Sequence, residues 1–120
     1  MTDPSHRIER LADQIRGEVA TVIAEDLRDP RIGFATVTRV ELSADLQHAR
    51  VLVSVLGDAA AQEQTLQGLA SAAGYVRYAV THRLRLRRAP ELIFVLDHGP
   101  EESIRLEKLL HNLHQHDHEK

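Results

Sequence analysis

Between residues 72 and 97 the chain reads AAGYVRYAVTHRLRLRRAPELIFVLD. A helical run reaches Ala73, meets Gly74, and resumes at once through Val76, Val80 and Leu84. It must stop before Pro90, because proline disfavours helical backbone in the residue ahead of it. Leu92, Phe94 and Leu96 then alternate with Ile93 and Val95 in a largely apolar strand that ends at Asp97. The stretch therefore predicts a helix, a kink, a second helix and a strand. A glycine within a helical run costs about 1 kcal/mol against alanine, so Gly74 needs a reason. With Ala72 close by, the backbone there is bare. Either the resuming helix offers free amide donors to phosphate oxygens, or the chain turns a corner packed close to a strand. The chemistry weighs the two about equally.

The same periodicities organise the rest of the chain. Asp58 reads as the N-cap of a helix through Leu66, Leu69, Ala70 and Ala73. Ahead of it lie two runs rich in β-branched residues, Phe34–Leu42 and Ala49–Leu56, which predict strands. Ala49, Val51, Val53 and Val55 share one face, and the short polar connection 43–48 joins the two strands as an antiparallel hairpin. The first helix opens at Asp3-Pro4, with proline at the position where its missing donor is harmless. Its apolar stripe is Ile8, Leu11, Ile15, Val19, Val22 and Ile23, and it should end near Leu27, ahead of Pro30. Tyr75, Val76, Ala79 and Val80 would face the sheet. Beyond Gly99-Pro100, the residues Ile104, Leu106, Leu109, Leu110 and Leu113 predict a terminal helix that dissolves into a polar tail. The order specifies an α+β domain over residues 1–99, with helices on one face of a three-stranded sheet, followed by a C-terminal helix and a histidine-rich tail over 100–120.

Charge is distributed unevenly. The 120 residues carry a formal net charge of −3, but residues 1–73 sum to −4, residues 74–90 to +5 and residues 91–120 to −4. The central segment holds Arg77, Arg83, Arg85, Arg87 and Arg88 and no acid. On a continuous helix Arg77, Thr81, Arg85 and Arg88 fall within a sector of roughly 80°, which makes one face cationic. Arginine rather than lysine favours planar, bidentate contacts to phosphate. The pattern points to a polyanion. The alternative for Arg87 and Arg88 is compensation of a helix C-terminal dipole. Arg83 falls among apolar positions on the wheel, where it pairs with an internal acid or snorkels outward.

Other chemistry finds little support. With no cysteine there is no disulfide scaffold, zinc ribbon or thiol nucleophile. No run approaches the length of a membrane span, and no signal-type apolar core opens the chain, so a soluble, cytoplasmic protein is expected. Two tyrosines, two phenylalanines and no tryptophan argue against RNA readers built on paired strand aromatics. His111, His114, His116 and His118 with Asp117 have metal-ligand spacings, but a polar tail offers no dry cavity, and adventitious affinity is the expectation. Ser43, Asp45 and His48 read as turn residues rather than a nucleophile site. No enzyme activity, cofactor, metal or small-molecule substrate is expected.

Five motifs, in order and spacing, resemble the bacterial ribosome-binding factor A family from about Arg7 to Leu110. They are Arg7-x-x-Arg10; Asp29-Pro30-Arg31; Ser43-x-Asp45-Leu46-x-x-Ala49; Ala72-x-Gly74-x-x-Arg77; and Arg87-x-x-Pro90-x-Leu92-x-Phe94-x-x-Asp97. The resemblance implies a type II KH-like fold with an alanine-x-glycine interhelical kink in place of a GxxG loop. It also implies a non-catalytic assembly factor that binds the free 30S subunit and assists late maturation of 16S rRNA, including 5′-end processing and cold adaptation. Ala72, Ala73, Gly74 and Arg77 match the family's RNA-contacting region. The resemblance stops short of the tail, which ends in histidine and acid where the family often carries a Lys/Arg-bearing extension.

The expected RNA-binding set is therefore Ala72, Ala73, Gly74, Arg77, Arg85 and Arg88, with Arg7, Arg10 and Arg31 either adding phosphate contacts or pairing with Glu9, Asp13 or Asp29. A monomer is the default. The competing reading is a KH-like protein-interaction module that does not bind RNA directly.

Overall fold

The computed structural model describes residues 4–99 and Leu109, with the elements α1 (Pro4–Glu25), β1 (Ala35–Leu42), β2 (His48–Val55), α2 (Ala59–Leu84) and β3 (Glu91–Leu96). The sheet order is β1-β2-β3, with β1 antiparallel and β3 parallel to β2. A parallel neighbour requires a long crossover, and α2 supplies it. Asp97, which accepts from the Gly99 amide, closes the last strand; of the expected terminal helix only Leu109, helical and exposed, is described, and the histidine tail falls outside the described residues.

Both helices lie on one face. Ile15, Val19 and Val22 of α1, Leu69 and Val76 of α2, and Ala49, Val51 and Val53 of β2 are fully buried together. These are the stripe and the strand face that periodicity predicts. Ladder phase in β1 departs from simple alternation. A register shift between Val37 and Arg39 makes Thr38 an extra residue, so Val37 and Val40 both face the core. Thr38 then donates its hydroxyl to Asp97 Oδ2 at 2.6 Å, with the Leu52 carbonyl 3.2 Å away as a second acceptor for the same proton, tying the bulge to the end of β3.

α2 begins as expected, with Asp58 Oδ1 accepting from the Ala61 amide at 2.9 Å. It then runs 26 residues without the interruption expected at Gly74. One glycine is a small penalty beside the burial of Leu69 on one side of it and Val76 and Val80 on the other, so packing carries the helix through. The two expected helices are one.

The α1–β1 connection is strapped to α2. Thr65, buried, accepts from the Gly33 amide at 3.3 Å and donates to the Arg31 carbonyl at 3.4 Å. One turn later, a methyl at Gly68 would lie 2.7 Å from Ile32 Cγ1. Glycine is therefore required here by close approach. α1 itself ends at Glu25, two residues short of the expected Leu27.

Candidate nucleic-acid interface

The cationic segment is built by the way α2 ends. Arg85 adopts a left-handed conformation (φ 53°, ψ 45°), its N–H bonds to the His82 carbonyl at 3.3 Å, and the Leu86 N–H reaches back to the Thr81 carbonyl at 3.0 Å. This is a Schellman closure. The helix therefore stops at Leu84, and Arg85, Arg87 and Arg88 lie in the connection to β3. The expected helical sector survives only for Arg77 and Thr81. The connection nevertheless directs its charges outward: Leu86 and Ala89 are half-buried and Pro90 is buried, while Arg85, Arg87 and Arg88 are exposed. None of these three has a carboxylate partner among the described residues.

Arg77 has a structural task that its sequence position conceals. Its Nε and Nη2 donate to the Ala89 carbonyl at 3.2 and 2.7 Å, clamping the connection to the helix that precedes it. Arg83 pairs with Glu18 of α1 at 3.4 Å, which decides between its two readings. Arg31 is held by Asp29, with Nη2 2.6 Å from Oδ2. This guanidinium and the Arg31 amide hold the Asp29 carboxyl below the usual carboxylate range. Of the outlying arginines, Arg7 and Arg10 are exposed on α1 with no carboxylate partner among the described residues.

A cleft of about 790 Å³ opens between this connection and the β1–β2 turn. Leu11, Leu42, Leu46, Leu86 and Pro90 give it an apolar lining, and Arg77, Arg87 and Arg88 lie along it, opposite Asp45, Gln47 and His48. The turn is rigid. Ser43 donates its hydroxyl to Asp45 Oδ1 at 2.6 Å and accepts the His48 amide at 3.0 Å, while Leu46 takes a positive φ of 61°. The Ser43 hydroxyl and then the Gln47 amide lower the Asp45 pKa. Ser43 and Asp45 are thus turn residues, as expected, while His48 opens β2 and pairs with Glu91. His48 Nε2 stands 3.8 Å from Glu91 across the strand ends. No contact brings Arg7, Arg10 or Arg31 to this cleft.

At Ala72, Ala73 and Gly74 the helix is unbroken, so the free amide donors expected of a second helix start are not there. Gly74 is exposed, and a Cβ on it would meet nothing within 4 Å. Tyr75, expected against the sheet, is 50% exposed, with its hydroxyl donating to Asp26 Oδ2 at 2.9 Å. Tyr78 is 63% exposed and its ring centre lies 4.3 Å from that of His82. Sequence reasoning missed this aromatic face because it followed only the charged and apolar positions; the i,i+4 spacing of Gly74, Tyr78 and His82 places them together.

A family model described as ribosome-binding factor A matches residues 7–110. Ribosome-binding factor A of Desulforamulus reducens is 46% identical over 109 residues, 91% of this chain and 91% of that protein. The crystal structure of ribosome-binding factor A from Thermus thermophilus is 31% identical, covers 74% of this chain and 94% of its own, and superposes with a TM-score of 0.66. A homology model of the Thermus thermophilus factor, fitted into a cryo-EM map of a complex of 30S with that factor, is 32% identical, covers 73% of this chain and 92% of its own, and gives a TM-score of 0.63. Sequence over nearly the whole length and a KH-like α+β architecture agree, and the chain belongs to the ribosome-binding factor A family.

Proposed function

We propose that this protein binds the free 30S ribosomal subunit through 16S rRNA and assists a late step of its maturation, including processing of the 5′ end, as a monomeric, non-catalytic factor in the cytoplasm with a role in cold adaptation. The observation that carries this reading is the connection after α2, where Arg85, Arg87 and Arg88 are held outward without carboxylate partners among the described residues. The Schellman closure and the Arg77 clamp fix the backbone that carries these guanidinium groups, so phosphate binding has to order only their side chains. The Thermus thermophilus relative fitted to a 30S complex supports the choice of partner.

Filter binding to purified small subunits against a tRNA control tests the reading. Binding should weaken steeply with salt and prefer the ribosomal target. Arg85→Ala and Arg88→Ala should each lower the log–log salt slope by roughly 0.7 to 0.9. Unchanged affinity and slope in the double variant would refute the surface. A protein partner has one observation in its favour: Phe34 and Leu56, 81% and 75% exposed, lie side by side where the Leu56 amide bonds to the Phe34 carbonyl. Salt-insensitive binding that depends on this pair would support that alternative.

A further inference from the structure

The face of α2 turned away from the sheet carries Gln67, Ser71, Gly74, Tyr78 and His82, all exposed. Nothing in the fold demands glycine at Gly74: its backbone is helical, it is not among the positive-φ residues, and a methyl there would touch no other group. Side chains of a helix lean toward its N-terminus, so the surface above Gly74 is the one that Tyr78, four residues on, reaches over. His82 leans in the same way toward Tyr78, and the two rings meet at 4.3 Å with 57° between their planes. The phenol is thus steadied from its C-terminal side, while its neighbours one turn toward the N-terminus are Gly74, which has no side chain, and Tyr75, whose hydroxyl is bonded to Asp26 Oδ2 at 2.9 Å. Its hydroxyl makes no hydrogen bond among the described residues. About 10 Å further along, the exposed guanidinium groups of the connection begin, and between residues 74 and 90 there is no acid.

An open aromatic face running into a connection whose Arg85, Arg87 and Arg88 have no carboxylate partner among the described residues matches a flat base on a phosphate-linked chain better than an apolar protein surface. Resting on the RNA-binding reading above, we infer that Tyr78, steadied by His82, is a stacking platform for an unpaired base of the bound RNA. The bare helix at Gly74 admits the base, and the arginines past Leu84 take flanking phosphates.

The test measures equilibrium binding of the full chain to a protein-free 16S rRNA transcript over a range of salt, with circular dichroism of each variant as a check on folding. Tyr78→Ala should lose roughly 5- to 150-fold in affinity, the usual range for one stacked base, with the salt slope unchanged. Tyr78→Phe should bind like the parent, and Tyr78→Leu, apolar but not planar, should fall with alanine. Parent-like binding by Tyr78→Ala, or full rescue by leucine, would overturn the platform while leaving the RNA-binding reading intact. If the parent bound whole subunits but not the transcript, Tyr78 would face protein and the inference would fail. If the parent bound neither, the reading beneath it would fail instead.

Discussion

Gly68 and Gly74 stand six residues apart in the same helix, and their neighbours set opposite expectations for one substitution. At Gly68 a methyl would be driven against Ile32 Cγ1 at 2.7 Å and Arg31 Cβ at 3.3 Å, and neither atom is the free end of a flexible chain. Gly68→Ala should destabilise by about 1 to 3 kcal/mol in urea titration. Gly74→Ala meets nothing and should stabilise by up to about 1 kcal/mol, through helix propensity alone, while weakening RNA binding. Arg77 belongs to the same scale. Arg77→Ala releases the Ala89 carbonyl and should lower the melting midpoint by about 4 °C. Lost RNA affinity in that variant must therefore be separated from loosening of the connection, which Arg85→Ala and Arg88→Ala avoid. None of these distinctions was legible in the sequence: what separates the glycines is a residue far away in the chain, and what occupies Arg77 is a backbone carbonyl, which has no sequence signature.

Among the elements, β1 and β3 are joined by a side-chain bridge rather than by strand pairing. The Thr38 hydroxyl, then the Gly99 amide at 3.0 Å, hold the Asp97 carboxyl below its usual range. A carboxylate whose folded pKa is depressed contributes stability above its unfolded value, near about pH 4, and that contribution disappears as pH falls through the folded value. Asp97→Asn should therefore be less stable than the parent at neutral pH, and the two should converge in acid. Equal stability of parent and variant at pH 7 in thermal melts would contradict this. The bulge that makes the bridge possible was invisible to period-two counting, which places Val37 and Arg39 on one face. The break expected in α2 erred in the opposite direction, since local propensity at Gly74 was outweighed by burial on both sides. The helix does run through Leu84 and stop before Pro90, as expected, but the Schellman closure at Arg85 leaves Arg85 and Arg88 outside the helical face on which the sequence places them.

For the molecule as a whole, Leu69 of α2 is fully buried in the core that both helices and all three strands share. Leu69→Ala should cost about 2 to 5 kcal/mol and unfold helices and sheet in one transition by circular dichroism. The architecture was legible because apolar spacing reports burial directly: the stripe of α1, the inner face of β2 and the cap at Asp58 all follow from it. The candidate site was legible only as a charge anomaly. Which arginines lie on the helix, which are occupied, and which aromatic rings join them depended on tertiary contacts between distant segments.

The parallel pairing of β3 with β2 has a consequence for when this protein becomes competent. A nascent chain can zip its hairpin, wind its helices and close the connection through the Schellman bonds and the Arg77–Ala89 clamp as they emerge, yet that connection comes to face the β1–β2 turn only once the final strand has docked beside β2. On the RNA-binding reading proposed above, a copy lacking its last strand should bind the small subunit more weakly than the whole chain.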